Sequence, residues 1–157
     1  MSVKDIEKDI YSTFADIAST IGYSEIHGRI IAALLVANKK LSLQELSKNI
    51  GYSTSTISLS LDLLEFLGMI KKIKKVGDRR LYVELHGDLL KGLKRAFLIK
   101  IRKNVDDTLN RFKEYEKILK KSKDSHKKGV LNTLKTLEKE VKRLDKYLNL
   151  LSKLRLP

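Results

Sequence analysis

The sequence predicts a mainly helical protein with one small β-ribbon, and three observations lead to that fold class. Apolar residues recur at intervals of three and four along most of the 157-residue chain, which is the spacing of one face of an α-helix. Between residues 69 and 85 the pattern changes, and its second half alternates as a half-buried strand does. The single proline is the last residue, Pro157, so no proline interrupts a long helix.

The first two helices are predicted from apolar spacing and from the residues that end them. In the first, from Val3 to Ile21, the apolar side chains share one face, and Gly22 supplies the stop. Ser24 is placed to cap a second helix from about Glu25 to Ala37, which is apolar on most sides and is therefore expected to be buried. Residues 38–40 then form the exit turn.

A pair of short helices separated by a glycine comes next. Ser42 is predicted to cap a helix from Leu43 to Ile50, and Gly51 can adopt the positive φ that ends it and turns the chain sharply. Ser53 is predicted to cap the following helix, which ends at Gly68. Two helices joined in this way form a helix-turn-helix.

A two-stranded basic ribbon is predicted immediately after this pair. Residues 81–85 alternate between apolar and polar, and Gly77 with Asp78 supplies the turn between the strands. Residues 69–80 contain six basic residues and one Asp, and we expect Asp78 to pair with a neighbouring arginine. A helix-turn-helix followed by a ribbon is a winged helix, which can lay one helix in a DNA major groove and the ribbon along the neighbouring backbone.

Two long helices are predicted for the remaining chain. The first runs from about Asp88 to Lys121 with a weak point at Gly92, and the second from about Gly129 to Leu154 after a polar turn. In the second helix the apolar residues are spaced 4, 3, 4, 3, 4 and 3 apart, a heptad pattern typical of paired helices. Its partner is either the preceding helix, in an antiparallel hairpin, or a second subunit, and both arrangements can hold together.

Composition excludes several classes of function. The chain has no Cys, which rules out disulfides and thiolate metal sites, and its three histidines lie in different segments without ligand spacing. No cofactor is expected. No Ser-His-Asp set, phosphate-binding loop or pair of carboxylates stands out, so the protein is not expected to be an enzyme. The charged N-terminus and the lack of a long apolar run lead us to expect no membrane partner and a cytoplasmic location.

The net charge of +14 favours a polyanionic partner, but the charge is unevenly distributed. Residues 1–87 contain 12 basic and 10 acidic side chains, whereas residues 88–157 contain 21 and 9. Surplus lysines on a long helix are usually a solvated face. The basic ribbon is therefore the more specific signal for nucleic acid.

Candidate contacts to double-stranded DNA lie at the start of the second short helix and in the ribbon. Hydroxyl groups can bond phosphates and base edges, and basic side chains at a ribbon tip reach phosphates. The candidates are Ser53, Thr54, Ser55, Thr56, Ser58, Lys74, Lys75, Arg79 and Arg80. That helix has no Arg, Lys, Asn or Gln, so its discrimination between base sequences is expected to be modest. The alternatives are solvated hydroxyls on a structural hairpin and lysines that protect an edge strand.

Two motifs resemble the MarR-type transcription regulators. Residues 64–70, LEFLGMI, are similar to the end of the recognition helix in that group, and residues 77–82, GDRRLY, resemble its wing, especially in the GbsR-like branch. The resemblance covers nearly the whole chain and implies a homodimer that binds a pseudo-palindromic duplex site. By this resemblance the groove-facing residues are Thr54, Ser55, Thr56 and Ser58, and the wing-tip residues are Arg79 and Arg80. The long C-terminal pair of helices departs from the shorter MarR pattern.

Three parts are expected along the chain: residues 1–22 as an N-terminal dimerisation helix, residues 23–87 as the winged helix that binds DNA, and residues 88–157 as a helical hairpin for dimerisation. The candidate dimer contacts are the apolar residues Ile6, Ile10, Phe14, Ile17, Leu137, Val141, Leu144, Leu148 and Leu151. A pocket for a small-molecule effector between the DNA-binding part and the helices would suit a regulator. The rival hypothesis is a winged-helix adaptor that binds proteins and has no sequence-specific DNA binding.

Overall fold

The computed structural model describes all residues from 1 to 157 and contains six α-helices and one three-stranded antiparallel sheet. The elements are α1 (Val3–Thr20), α2 (Glu25–Ala37), β1 (Leu41–Ser42), α3 (Leu43–Ile50), α4 (Thr54–Phe66), β2 (Ile70–Lys74), β3 (Leu81–Leu85), α5 (Leu89–Lys121) and α6 (Lys127–Lys153). The predicted fold class is confirmed, and each predicted helix is present. The chain forms two compact units, Met1–Ala96 and Phe97–Pro157, with the boundary inside α5. No helix has both the length and the apolar character needed to cross a lipid bilayer.

Helices α1 and α3 begin with the same reciprocal cap. Ser42 Oγ accepts a hydrogen bond from the Glu45 N–H at 3.1 Å, and the Glu45 carboxylate accepts one from the Ser42 N–H at 2.7 Å. Ser2 and Asp5 make the equivalent pair at 3.2 and 2.8 Å. Each cap satisfies N–H groups that have no partner inside the helix. The hydrogen bond from the Ser42 N–H also lowers the pKa of the Glu45 carboxyl group.

Replacing Ser42 with alanine is expected to lower the free energy of unfolding by about 1 kcal/mol, because it removes the cap of α3. Ser42 is buried, so water cannot replace the lost hydrogen bond. Urea unfolding followed by circular dichroism measures the change. Ser2→Ala is the matched control, since it removes the same cap from an exposed terminal turn that frays at little cost. Equal losses in the two variants would contradict this account of the α3 cap.

One apolar core holds the helix-turn-helix and the sheet together. Side chains from each element are fully buried in it, among them Ile30, Leu34, Leu46, Ile57, Leu61, Ile70 and Val83. Helix α2 is buried on most sides, as its composition predicts. Because α4 buries Ile57, Leu61 and Leu64 against this core, the opposite side of its N-terminal half is left at the surface.

The sheet has a third strand that the sequence does not predict. Its order is β1-β3-β2, with Leu41 opposite Val83 and Ser42 opposite Tyr82. Strand β1 has only two residues, too few to show an alternating pattern. It joins the connection between α2 and α3 to the second strand of the ribbon. The β2–β3 pairing runs from Ile70 opposite Leu85 to Lys74 opposite Leu81 and forms the predicted ribbon.

Within residues 97–157, the C-terminal part of α5 packs against α6 as a helical hairpin. Leu98, Val105 and Leu148 are buried between the two helices, and the half-buried residues around them are Ile101, Leu109, Val141 and Leu151. Arg102 Nη2 donates a hydrogen bond to Asn149 Oδ1 at 3.2 Å across the hairpin. Three heptad residues of α6, Val141, Leu148 and Leu151, therefore have a partner within the chain. Two others, Leu137 and Leu144, remain 44% and 42% exposed. The predicted weak point at Gly92 is absent, since α5 is continuous through it.

Candidate nucleic-acid interface

The turn between α3 and α4 is built from a glycine and one partly buried hydrogen bond. Gly51 has a φ of 76°, a conformation that strains other residues, and it allows the chain to reverse after Ile50. Ser47 Oγ donates a hydrogen bond to the Tyr52 carbonyl oxygen at 2.6 Å, which fixes the exit of this turn. Ser53 then begins α4 as predicted, because its Oγ accepts a hydrogen bond from the Thr56 N–H at 3.2 Å.

The five predicted hydroxyl residues of α4 are all exposed, but their hydroxyl groups differ in what they contact. Ser53 Oγ lies 2.7 Å from Thr56 Oγ1 and 3.2 Å from Ser55 Oγ, so these three hydroxyls share hydrogen bonds at the cap. Thr54 and Ser58 have no side-chain hydrogen bond within the protein. Because they are four residues apart, they lie on the same side of the helix. They are the hydroxyl groups most available to a partner.

Leu59 is an exposed residue of α4 that the sequence did not single out as a candidate contact. Its side chain is 78% exposed on α4, next to Ser58. The helical spacing of the sequence could have identified it, because Leu59 does not share the helix face of the buried Ile57, Leu61 and Leu64. An exposed apolar side chain at this position is able to contact a thymine methyl group in a major groove.

The tip of the wing is organised around Asp78. Its Oδ1 accepts hydrogen bonds from the Arg80 backbone N–H at 2.9 Å and from Arg80 Nε at 3.2 Å. Its Oδ2 accepts from Arg80 Nη2 at 3.1 Å and from the Tyr82 hydroxyl at 3.0 Å. These hydrogen bonds lower the pKa of Asp78 to about 2, and the bond from the Arg80 side chain has the largest effect. The predicted pairing of Asp78 with one of the two arginines is confirmed.

The other predicted basic residues of the wing are exposed. Arg79 has neither an ion pair nor a hydrogen bond, so its guanidinium group is free to bind a partner. Lys74 and Lys75 are also exposed and form no ion pair. The Lys75 ammonium group lies 5.0 Å from the centre of the Tyr82 ring.

Lys72 differs from its neighbours on β2, because it is paired with two carboxylates of α4. Its ammonium group forms ion pairs with Asp62 and, at 3.8 Å, with Glu65. Glu65 Oε2 also accepts a hydrogen bond from the Lys72 backbone N–H at 3.2 Å. The contact with Asp62 is the main cause of a raised pKa for Lys72. Lys72 thus fixes the base of the wing against α4 and is not available to a polyanion.

The titration of Asp78 provides a direct check of the wing structure. Its folded-state pKa of about 2 lies below the ordinary value of 3.8, so the contribution of its hydrogen bonds to stability is present above pH 3.8 and is lost as the pH falls through about 2. The pKa of Asp78 can be followed by NMR, from the change of its carboxyl ¹³C chemical shift with pH. In Arg80→Leu, we expect the pH midpoint of this titration to rise towards 3.8. Arg79→Leu is the matched control and should leave the midpoint unchanged. A comparable rise in both variants would contradict the Asp78–Arg80 pairing.

A cavity of about 350 Å³ lies within residues 1–96. Apolar side chains from α1, α2, α4 and the start of α5 line it, among them Phe14, Ile17, Ala18, Ile31, Leu64, Leu67 and Leu93. Phe14 and Ile17, two of the predicted dimer contacts, are thus part of its wall. The other two on α1 are Ile6, which is 47% exposed, and Ile10, which is half-buried.

No protein-family model and no curated protein matches this chain. Among solved structures, it is similar to a transcriptional regulator with 18% sequence identity and a TM-score of 0.54, over 94% of this chain and 99% of that chain. NadR in complex with 4-hydroxyphenylacetate has 20% identity and a TM-score of 0.43, over 75% of this chain and 84% of that one. An S. aureus MepR mutant bound to an oligodeoxyribonucleotide has 17% identity and a TM-score of 0.43, over 90% and 94%. From the first of these likenesses, the chain shares its fold with a solved transcriptional regulator.

Proposed function

We propose that the protein is a transcription regulator of the MarR/GbsR type that binds duplex DNA through the start of α4 and the basic wing. One observation carries the proposal: the free hydroxyls of Thr54 and Ser58 and the free guanidinium of Arg79 lie on two elements that the Lys72 ion pairs hold together. A helix with an exposed polar start and an adjoining basic ribbon are the parts that a winged helix uses on DNA.

In the proposed mechanism, α4 enters a major groove and the wing lies along the neighbouring backbone. Affinity comes mainly from phosphate contacts and therefore falls as salt rises. Because α4 has no Arg, Lys, Asn or Gln, direct reading of bases is limited to hydroxyl groups and the apolar contact of Leu59. Further selectivity comes from DNA deformability and bridging water.

A homodimer would place two copies of α4 and the wing, one from each subunit, on a pseudo-palindromic site. The support for it is the set of apolar side chains that remain exposed on the terminal helices, including Ile6, Leu137 and Leu144 at 47%, 44% and 42%. Sedimentation at several protein concentrations measures the assembly. A monomer at every concentration would remove the pseudo-palindrome from the proposal.

The apolar cavity supports a small-molecule effector as a further partner. Its volume of about 350 Å³ lies in the range of ligand pockets, and Leu64 and Leu67 in its wall belong to the segment that ends α4. A small neutral aromatic such as naphthalene is expected to raise the melting temperature of the protein. Ala18→Phe, which fills the cavity, should abolish that rise. A rise of equal size in this variant would place the ligand elsewhere.

A gel-shift titration on mixed genomic duplex at low salt tests the DNA-binding proposal itself. A shift at micromolar protein that weakens with added salt is the expected result. Bound fragments are then selected and sequenced to find the preferred site. Thr54→Ala with Ser58→Ala should change the ranking of the selected fragments and leave the salt dependence nearly unaltered. The absence of any shift at low salt would instead favour the adaptor that binds proteins.

A further inference from the structure

Three cationic side chains converge on the ring of Tyr82. The ring centre lies 5.0 Å from Lys75 Nζ, 5.4 Å from Arg80 Cζ and 6.0 Å from Lys40 Nζ. Lys75 and Arg80 flank the wing turn, whereas Lys40 lies in the connection between α2 and β1. The pairing of β1 with β3, which sets Ser42 opposite Tyr82, brings Lys40 to the wing.

The two lysines of this cluster have no acidic partner. Asp78, whose carboxylate is bonded to the Tyr82 hydroxyl, already accepts three hydrogen bonds from Arg80. The adjacent ammonium group of Lys40 is the main cause of a lowered pKa for Lys75. The two ammonium groups therefore repel each other, and neither of them forms an ion pair with a carboxylate of the protein.

We propose that Lys40 and Lys75, which both lie over the ring of Tyr82, form a clamp for one phosphate of the DNA backbone. A phosphate diester carries one negative charge and can accept hydrogen bonds from both ammonium groups at once. Each ammonium group is a compact charge with three donors, which suits a shared phosphate. The Tyr82 face holds both ammonium groups by cation–π attraction, so the site is formed before the DNA arrives.

The clamp rests on the proposed DNA-binding function and extends it. It makes the connection between α2 and β1 a third contacting element, beside α4 and the wing tip. Neither nearby carboxylate forms an ion pair with these lysines, since Asp78 is bonded to Arg80 and Glu45 is bonded to the cap at Ser42. Both ammonium groups are therefore without an ion pair in the protein and are available to a phosphate.

The test is the salt dependence of binding to mixed-sequence duplex for the wild-type protein, Lys40→Met, Lys75→Met, the double variant and Lys39→Met. Lys39 is the matched control, because it adjoins Lys40, is exposed and does not contact Tyr82. For Lys40→Met we expect the slope of log K against log salt to become shallower by about 0.9, as for the loss of one phosphate contact. Because the two lysines share one phosphate, the double variant should lose less affinity than the sum of the single losses.

The outcomes separate the clamp from the function on which it rests. If the wild-type protein binds DNA, and Lys40→Met and Lys39→Met have equal slopes of log K against log salt, the clamp is overturned. The DNA-binding proposal then stays intact. No wild-type binding to any duplex at low salt would overturn both. Titration with inorganic phosphate against chloride, at equal ionic strength, is followed by the NMR signals of the Tyr82 ring. A phosphate-specific shift combined with an unchanged DNA affinity in Lys40→Met would assign the cluster to a free anion and also overturn the DNA clamp.

Discussion

Replacing Gly28 with alanine is expected to force α1 away from α2 and to destabilise the protein strongly. A β-carbon at position 28 would lie 2.0 Å from the Phe14 carbonyl oxygen, 2.4 Å from its carbonyl carbon and 2.8 Å from the Ala15 nitrogen. All three are backbone atoms, so no rotation of a side chain relieves the contact. Helix α1 must therefore move as a whole, and the buried Ala15 and Ala18 move with it.

Two opposing effects decide the size of this change. Alanine is a better helix former than glycine by about 1 kcal/mol in a helix interior. Overpacking a core typically costs about 1–3 kcal/mol, and a clash between backbones falls at the upper end because it displaces a helix rather than one side chain. A net loss of about 2 kcal/mol in the free energy of unfolding is the expected result, measured by urea unfolding.

Gly129 provides the matched control for Gly28. It lies in α6, and a β-carbon built there meets no atom within 4 Å. Gly129→Ala should therefore raise the stability, by up to about 1 kcal/mol, through helix propensity alone. If Gly28→Ala also raised the stability, α1 would not be packed on α2 at this close distance.

The helix ends could be predicted because their signals are local. Ser42 with Glu45 three residues later marks the start of α3, and Gly51 marks its end, whatever the rest of the chain does. The Asp78–Arg80 pair was predictable for the same reason, since the partners are only two positions apart in the chain. Heptad spacing likewise predicted that α6 is paired, but it could not choose between a partner helix and a second subunit.

The features that the sequence did not predict depend on contacts between distant segments. Lys72 looks like the other lysines of β2, and only its distance from Asp62 on α4 distinguishes it. Lys40 reaches Tyr82 through a strand of two residues that carries no pattern of its own. Gly28 is a glycine inside an apolar helix, and its role depends on where Phe14 of α1 crosses. Local propensity carries no information on these distances.

Loss of the wing-tip arginines is the change expected to affect DNA binding most. Arg79→Ala combined with Arg80→Ala should weaken binding to every duplex, whatever its sequence, because phosphate contacts carry no sequence information. If each arginine neutralises one phosphate, the slope of log K against log salt becomes shallower by about 1.8, twice the value of about 0.9 for one contact. Fluorescence anisotropy on specific and mixed duplexes, across a series of salt concentrations, measures both effects.

The two single variants are expected to differ, because only one of the arginines is paired. Arg79→Ala removes a free guanidinium group and nothing else. Arg80→Ala also leaves the Asp78 carboxylate without its ion-pair partner, so an uncompensated negative charge would face the DNA backbone. The affinity loss should therefore be larger for Arg80→Ala, and adding Asp78→Ala to that variant should recover part of it.

Bulk charge is the competing explanation for any such loss, and the C-terminal helices allow it to be separated from the wing. Residues 97–157 contain exposed arginines, among them Arg111 and Arg155, whose combined replacement by alanine removes the same charge as the wing double variant. If binding is directed by the wing, this control changes the slope far less, since solvated charges that do not touch the DNA do not displace ions bound to it. Equal slopes in the two double variants would mean that the whole basic chain, rather than the wing, holds the DNA.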